Sequence, residues 1–137
     1  MTVIVDASVA MKWLLVEEGS ESANQLIMDE MLAAPDLLFI ECANVLRTKT
    51  RNGALARESA RAALATLDAI PIRTLPIRPH VAAAHSIALE LDRSAYDSLY
   101  LAVALAERGT LVTADVKFAN AAQAHPVYSS ALRVLGA

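Results

Sequence analysis

Along the 137 residues, short solid apolar runs are separated by longer stretches of helical period. Val3, Ile4 and Val5 make an uninterrupted apolar run closed by Asp6, the pattern of a strand buried on both faces. Ala7 to Val16 then follows helical spacing, with Val9, Trp13 and Val16 on one stripe. Glu17 to Ser20 reads as a loop. Ser20 opens a helix to about Leu32, with Leu26, Ile27 and Met31 facing inward. Ala33 to Leu38 reads as a short strand broken by Pro35. A helix from near Leu38 to Arg51 stops at Asn52-Gly53, and Glu41 lies in or near its first turns. Arg57 to Ala69 is a further helix with Leu64 and Leu67 on its apolar side. Ile72 to Leu75 alternates as a strand, and Pro79 opens a helix to about Leu91.

Residues 94–115 form the densest stretch. Ser94 is placed as an N-cap, with Asp97 three residues on in the first turn. Tyr96 to Ala106 is apolar almost all round, so this helix is buried on more than one side. Glu107, Arg108 and Gly109 supply the stop, with Gly109 as the expected C′ residue. Leu111 to Thr113 is a short strand and Asp115 sits just past its end. A helix follows to about Ala124, where Pro126 blocks continuation. Val127-Tyr128 reads as a last short strand and Leu132 to Leu135 as a tail element. Strands alternating with helices predict an α/β fold with a mainly parallel sheet. With no repeat or linker, residues 1–137 are expected to form one domain.

This topology has a chemical consequence. The 94–108 helix precedes its strand and runs antiparallel to it, so Asp97 and Asp115 are brought to one edge of the sheet. That edge carries the carboxyl ends of the strands, where parallel sheets bind ligands. Asp6, ending the first strand, and Glu41, opening a helix after the second, fall on the same edge. Each acid alone has an ordinary use: Asp6 and Asp115 as helix caps, Asp97 as the acid of a capping box, Glu41 as a first-turn acid. Four caps, however, need not share an edge. Carboxylates brought close raise one another's pKa and repel. A hard divalent cation relieves this, and Mg²⁺ or Mn²⁺ suits an all-oxygen donor set.

Composition narrows the setting. The chain is 55% hydrophobic and 20% charged with a net charge of −3, so nothing global attracts a polyanion and local cations or metal ions must hold one. The apolar excess points to surface covered by a partner. The single cysteine, Cys42, excludes an internal disulfide and suits a reducing compartment. Asp6 and Lys12 interrupt the N-terminal apolar run, and no stretch is long enough to span a bilayer. The expectation is a cytoplasmic protein with no membrane association.

The residues around the acids also match a known pattern. VIVDASV at 3–9, PDLLFIECANVL at 35–46, AYDSLYLAVA at 95–104 and LVTADVKF at 111–118 resemble, in order and spacing, the motifs of PIN domains. The match is nearest the VapC-like toxins of bacterial and archaeal toxin–antitoxin pairs. The resemblance implies a three-layer α/β/α fold and a metal-dependent ribonuclease neutralised by a cognate antitoxin. Together with the apolar excess it implies a homodimer. Asp6, Glu41, Asp97 and Asp115 would be its metal-binding and catalytic residues. RNA phosphodiesters would be hydrolysed by a metal-activated water, with one or two ions left open. Ser8 and Thr113 are candidates to orient water or a carboxylate through their hydroxyls, and equally serve as turn or cap residues. Asn44, one turn beyond Glu41, either faces the site or bonds a neighbouring loop.

Two other readings compete. A phosphoacceptor receiver domain expects paired acids after the first strand and a late Lys, neither of which is found here. A catalytically silent PIN-like module binding RNA or protein is the alternative, against which the four intact acids count. Arg47, Lys49 and Arg51 form a basic patch, read first as a solvated helix end and second as phosphate contacts. Arg93 and Lys117 border the acidic motifs as alternative phosphate contacts. His80, His85 and His125 lack metal-ligand spacing, Cys42 reads as a small buried residue, and Trp13, Tyr96 and Tyr100 read as core or subunit contacts.

Overall fold

The computed structural model describes residues 2–137. Its elements are β1 (Thr2–Val5), α1 (Ala7–Leu14), α2 (Ser20–Asp29), β2 (Met31–Pro35), α3 (Leu37–Arg51), α4 (Arg57–Ala69), β3 (Ile72–Leu75), α5 (Val81–Leu91), α6 (Ala95–Ala106), β4 (Thr110–Thr113), α7 (Val116–Gln123) and β5 (Leu132–Val134). A 3-10 turn at Arg78–His80 precedes α5 and carries the helix-opening Pro79. The five strands form one sheet in the order β3-β2-β1-β4-β5, and all four pairings are parallel. Parallel pairing requires crossovers, and the right-handed rule for them places α1 to α4 over one face on the way to β2 and β3 and α5 to α7 over the other on the way to β4 and β5. The mutual packing of α1 with α2, α3 and α4, and of α5 with α6, is in keeping with this. The result is the three-layer α/β/α arrangement.

β1 is the central strand, and its solid apolar run is the reason. Val3, Ile4 and Val5 are 1%, 0% and 0% exposed, each packed between the helical layers. Helix α6 is buried continuously from Ser98 to Ala104, as its all-round apolarity predicts. The turn into β4 departs from expectation. Arg108 (φ 54°), not Gly109, adopts the left-handed conformation, and the Gly109 N–H bonds back to Ala104 O. Gly109 is needed for space: a Cβ there would lie 2.6 Å from the Thr2 carbonyl oxygen, so the α6–β4 turn passes β1 over its bare backbone.

Other boundaries shift for identifiable reasons. Helix α2 stops at Asp29 rather than Leu32, because Glu30 turns extended and Met31 to Ala33 pair with Thr2 to Ile4 of β1. Met31 is therefore exposed instead of inward, and Val16, beyond the end of α1, lies in solvent. Leu64 on α4 is exposed while Leu67 is buried. Pro35 ends β2 rather than breaking it. Val127-Tyr128 forms no strand: Tyr128 is buried in a turn, its hydroxyl donates to Glu90 Oε2 at 2.9 Å, and the edge strand comes later as β5.

Candidate metal centre

The strand order reverses direction between β1 and β4, since the chain leaves β1 towards β2 on one side and β4 towards β5 on the other. A cleft opens at the carboxyl ends of strands at such a switch point. Asp6 follows β1 there directly. It caps α1, with Oδ1 accepting from the Val9 N–H at 3.3 Å. It is also laced to β4: Ser8 Oγ donates to Oδ1 at 2.5 Å and Thr113 Oγ1 to Oδ2 at 2.5 Å. The two hydroxyls are fixed in turn, Ser8 Oγ accepting from Ala114 N at 2.9 Å and Thr113 Oγ1 from Asp115 N at 3.1 Å. Ser8 and Thr113 thus hold a carboxylate, one of the two roles considered for them. Burial raises the Asp6 pKa from 3.8 to about 6, against the lowering effect of its three donors, and the charge of Asp97 adds to the rise.

Asp115 caps α7, Oδ1 accepting from the Phe118 N–H at 3.1 Å. Asp97 opens α6, where its own N–H donates to Ser94 Oγ at 3.0 Å, so Ser94 is the cap. The free carboxylate oxygens of both acids meet one side chain. Arg93 Nη2 donates to Asp97 Oδ2 at 3.1 Å and to Asp115 Oδ2 at 2.8 Å. Two acids 18 positions apart in the chain are brought together, as the antiparallel packing of α6 on β4 requires.

Glu41 lies in the second turn of α3, half-buried, and accepts a 2.5 Å hydrogen bond from Tyr100 Oη on α6. Burial raises its pKa, the Tyr100 bond lowers it, and Asp97 raises it again. Asp97 thus acts electrostatically on both Asp6 and Glu41. Burial, followed by Glu41, pushes the Tyr100 hydroxyl far up, so it stays a donor. Cys42 is fully buried, and burial with the charges of Glu41 and Asp6 pushes its thiol up to about 12. A thiol that stays protonated is neither metal ligand nor nucleophile.

Asn44 is exposed and is not brought into this network; its carbonyl accepts from Thr48 Oγ1. Two participants have roles here that differ from their sequence reading. Tyr100 reads there as core packing, and Arg93 as a phosphate contact. Their only sequence signals are positional, Arg93 one helical turn before Asp97 and Tyr100 one turn after. Among the described residues, no three Asp, Glu, His or Cys side chains lie close enough to share an ion in this conformation. Each carboxylate is turned to a protein donor instead. The set still fits a hard cation: all donors are oxygens, two of the acids are held partly protonation-prone, and Asp97 repels both.

Beyond Glu41, α3 and α4 enclose a groove of about 630 Å³. It is lined by apolar side chains of both helices, among them Leu46 and Leu64, and by Arg47, Arg51, Arg57 and Arg61. The two α3 arginines therefore border a concave surface with two more from α4. No helix among the described residues is long and apolar enough to cross a membrane.

The sequence profile of the PIN domain family matches residues 3–124. Ribonuclease VapC9 of Mycobacterium tuberculosis is 34% identical over 122 residues, covering 89% of this chain and 92% of that one. The chain belongs to the PIN domain family, among the VapC-like toxins. Solved structures show the same fold. PAE2754 from Pyrobaculum aerophilum superposes with a TM-score of 0.71 at 24% identity, over 88% of this chain and 79% of that one. M. tuberculosis VapC20, described as a toxin cleaving the sarcin-ricin loop, superposes with a TM-score of 0.67 at 17% identity, over 87% and 94%.

Proposed function

We propose that this PIN domain is a Mg²⁺- or Mn²⁺-dependent RNA endonuclease, the toxin of a pair whose second member is a protein antitoxin. The observation that supports the reading is that Asp6 and Asp115 follow the carboxyl ends of β1 and β4, that Arg93 joins Asp115 to Asp97, and that the charge of Asp97 acts on both Asp6 and Glu41. Asp6, Asp97, Asp115 and Glu41 would hold the ion. When bound, it supplies charge to stabilise the phosphorane-like transition state and to acidify an attacking water. The chain's own residues supply the positioning. Ser8 and Thr113 aim the Asp6 carboxylate, Tyr100 aims Glu41, and the arginines of the α3–α4 groove offer fork-shaped donors to RNA phosphates.

A silent binding module is the second reading, favoured by one observation: all four acids are satisfied by protein donors. An RNase assay on a fluorescent RNA oligonucleotide separates the two. Cleavage is expected with Mg²⁺ or Mn²⁺, abolished by EDTA, restored by re-addition, and reduced by orders of magnitude in Asp115→Asn. Cleavage that persists in EDTA, or equally in the variant, refutes the metal mechanism, and none under any condition leaves the silent module. The antitoxin part is tested by whether a small gene lies beside this one and suppresses its toxicity on co-expression.

A further inference from the structure

Arg93 lies in the short link between α5 and α6, immediately after Asp92, whose left-handed backbone (φ 53°) turns the chain. The side chain is 24% exposed, less than the acids it meets. Its guanidinium sits 5.4 Å from the centre of the Phe118 ring, in the range of a cation–π contact. Its hydrogen bonding is unusual for an arginine. One nitrogen, Nη2, serves both Asp97 and Asp115, instead of two nitrogens gripping one carboxylate as a fork. Arg93 Nε is buried with no acceptor, a donor left unmade. A guanidinium that gives up its best geometry to stand between two acids is placed there by their charge. Both acids are over a third exposed, so the pairing is exchangeable.

We propose that Arg93 is a resident counter-cation of the carboxylate edge, bridging Asp97 and Asp115 in the metal-free protein and released when a divalent cation binds. The inference rests on the metal-dependent reading above and adds a competitor to it. Arg93 neutralises part of the mutual repulsion that would otherwise strain the apo fold, and it sets a threshold for metal loading. Once released, its five donors are free beside the acids, where a phosphate would be bound.

The test is Mn²⁺ binding by calorimetry to chelator-stripped protein, with melting in EDTA. Arg93→Gln should bind Mn²⁺ about 5- to 10-fold more tightly, the scale of a charge-assisted hydrogen bond in a half-exposed pair. It should also melt lower than wild type in EDTA. Lys117→Gln removes the same charge from an exposed neighbouring position and should change the affinity by less than about twofold. In unmodified protein, the Arg93 Nε–Hε resonance should move as Mg²⁺ is added, a readout that needs no variant to fold. Arg93→Gln binding at wild-type strength or weaker, Lys117→Gln matching its effect, or an unmoved resonance at saturation each overturn the proposal. Wild type that binds no divalent cation overturns the metal reading with it, whereas tight wild-type binding with an unchanged Arg93→Gln overturns the counter-cation alone.

Discussion

Replacing Asp6 by Asn should make the metal-free protein more stable at neutral pH. Asp6 is 8% exposed, and burial raises its pKa from 3.8 to about 6 despite three hydrogen-bond donors. A folded-state pKa above the unfolded value means that the folded protein holds this proton more tightly. The contribution is fully present below the unfolded pKa of 3.8 and is lost as pH rises towards 6. The rise corresponds to about 3 kcal/mol, carried at neutral pH as the cost of an ionised buried acid. Asn keeps the shape without the charge. It accepts from one hydroxyl only, so Ser8 or Thr113 must turn, at about 1 kcal/mol. The net gain is about 2 kcal/mol, or roughly 4 to 8 °C in Tm for a chain of this size. Melts in EDTA from pH 4 to 8 measure it, read as the difference between wild type and variant. The wild type should lose ground to the variant between pH 4 and 6. Added Mg²⁺ should then stabilise the wild type much more than the variant. If Asp6→Asn melts at or below wild type in EDTA with no pH-dependent difference, Asp6 is a helix cap and the strained-acid account fails.

Tyr100→Phe leaves the half-buried Glu41 without its donor and should cost about 1 to 3 kcal/mol in urea denaturation, with weaker Mn²⁺ binding because Glu41 is drawn further towards its protonated form. Gly109→Ala forces a Cβ to 2.6 Å from the Thr2 carbonyl and should destabilise by about 1 to 3 kcal/mol, with Mn²⁺ affinity retained, both checked on the same protein. Arg47→Glu combined with Arg51→Glu should weaken RNA binding in EDTA at least about tenfold by fluorescence anisotropy and flatten its salt dependence. Unchanged binding would assign the groove to another partner.

The parts of the fold legible in the sequence are those fixed by local pattern. The solid run Val3–Val5 identified a strand buried on both faces, and the almost all-round apolar Tyr96–Ala106 segment identified the most buried helix. Asp6, Asp97 and Asp115 could be placed on one edge from chain direction alone. The α2–β2 boundary was not legible, because Met31 keeps helical spacing with Ile27 and only pairing with β1 and β3 makes 31–35 a strand. Val127-Tyr128 has strand propensity, yet Tyr128 serves as a plug against Glu90. The roles of Arg93 and Tyr100 were hidden for a similar reason. Each acts across 22 and 59 positions of chain, through side-chain reach that no periodicity records.

The proposed function requires that Asp6, Glu41, Asp97 and Asp115 form one divalent-cation site. Anomalous diffraction from a crystal soaked in Mn²⁺ locates that ion without recourse to activity. A peak at the carboxyl ends of β1 and β4, ligated by Asp6, Asp97 or Asp115 and with Arg93 turned away, is the predicted result. A Mn²⁺ bound elsewhere, or none at that edge while Arg93 still bridges Asp97 and Asp115 at saturating Mn²⁺, would contradict it.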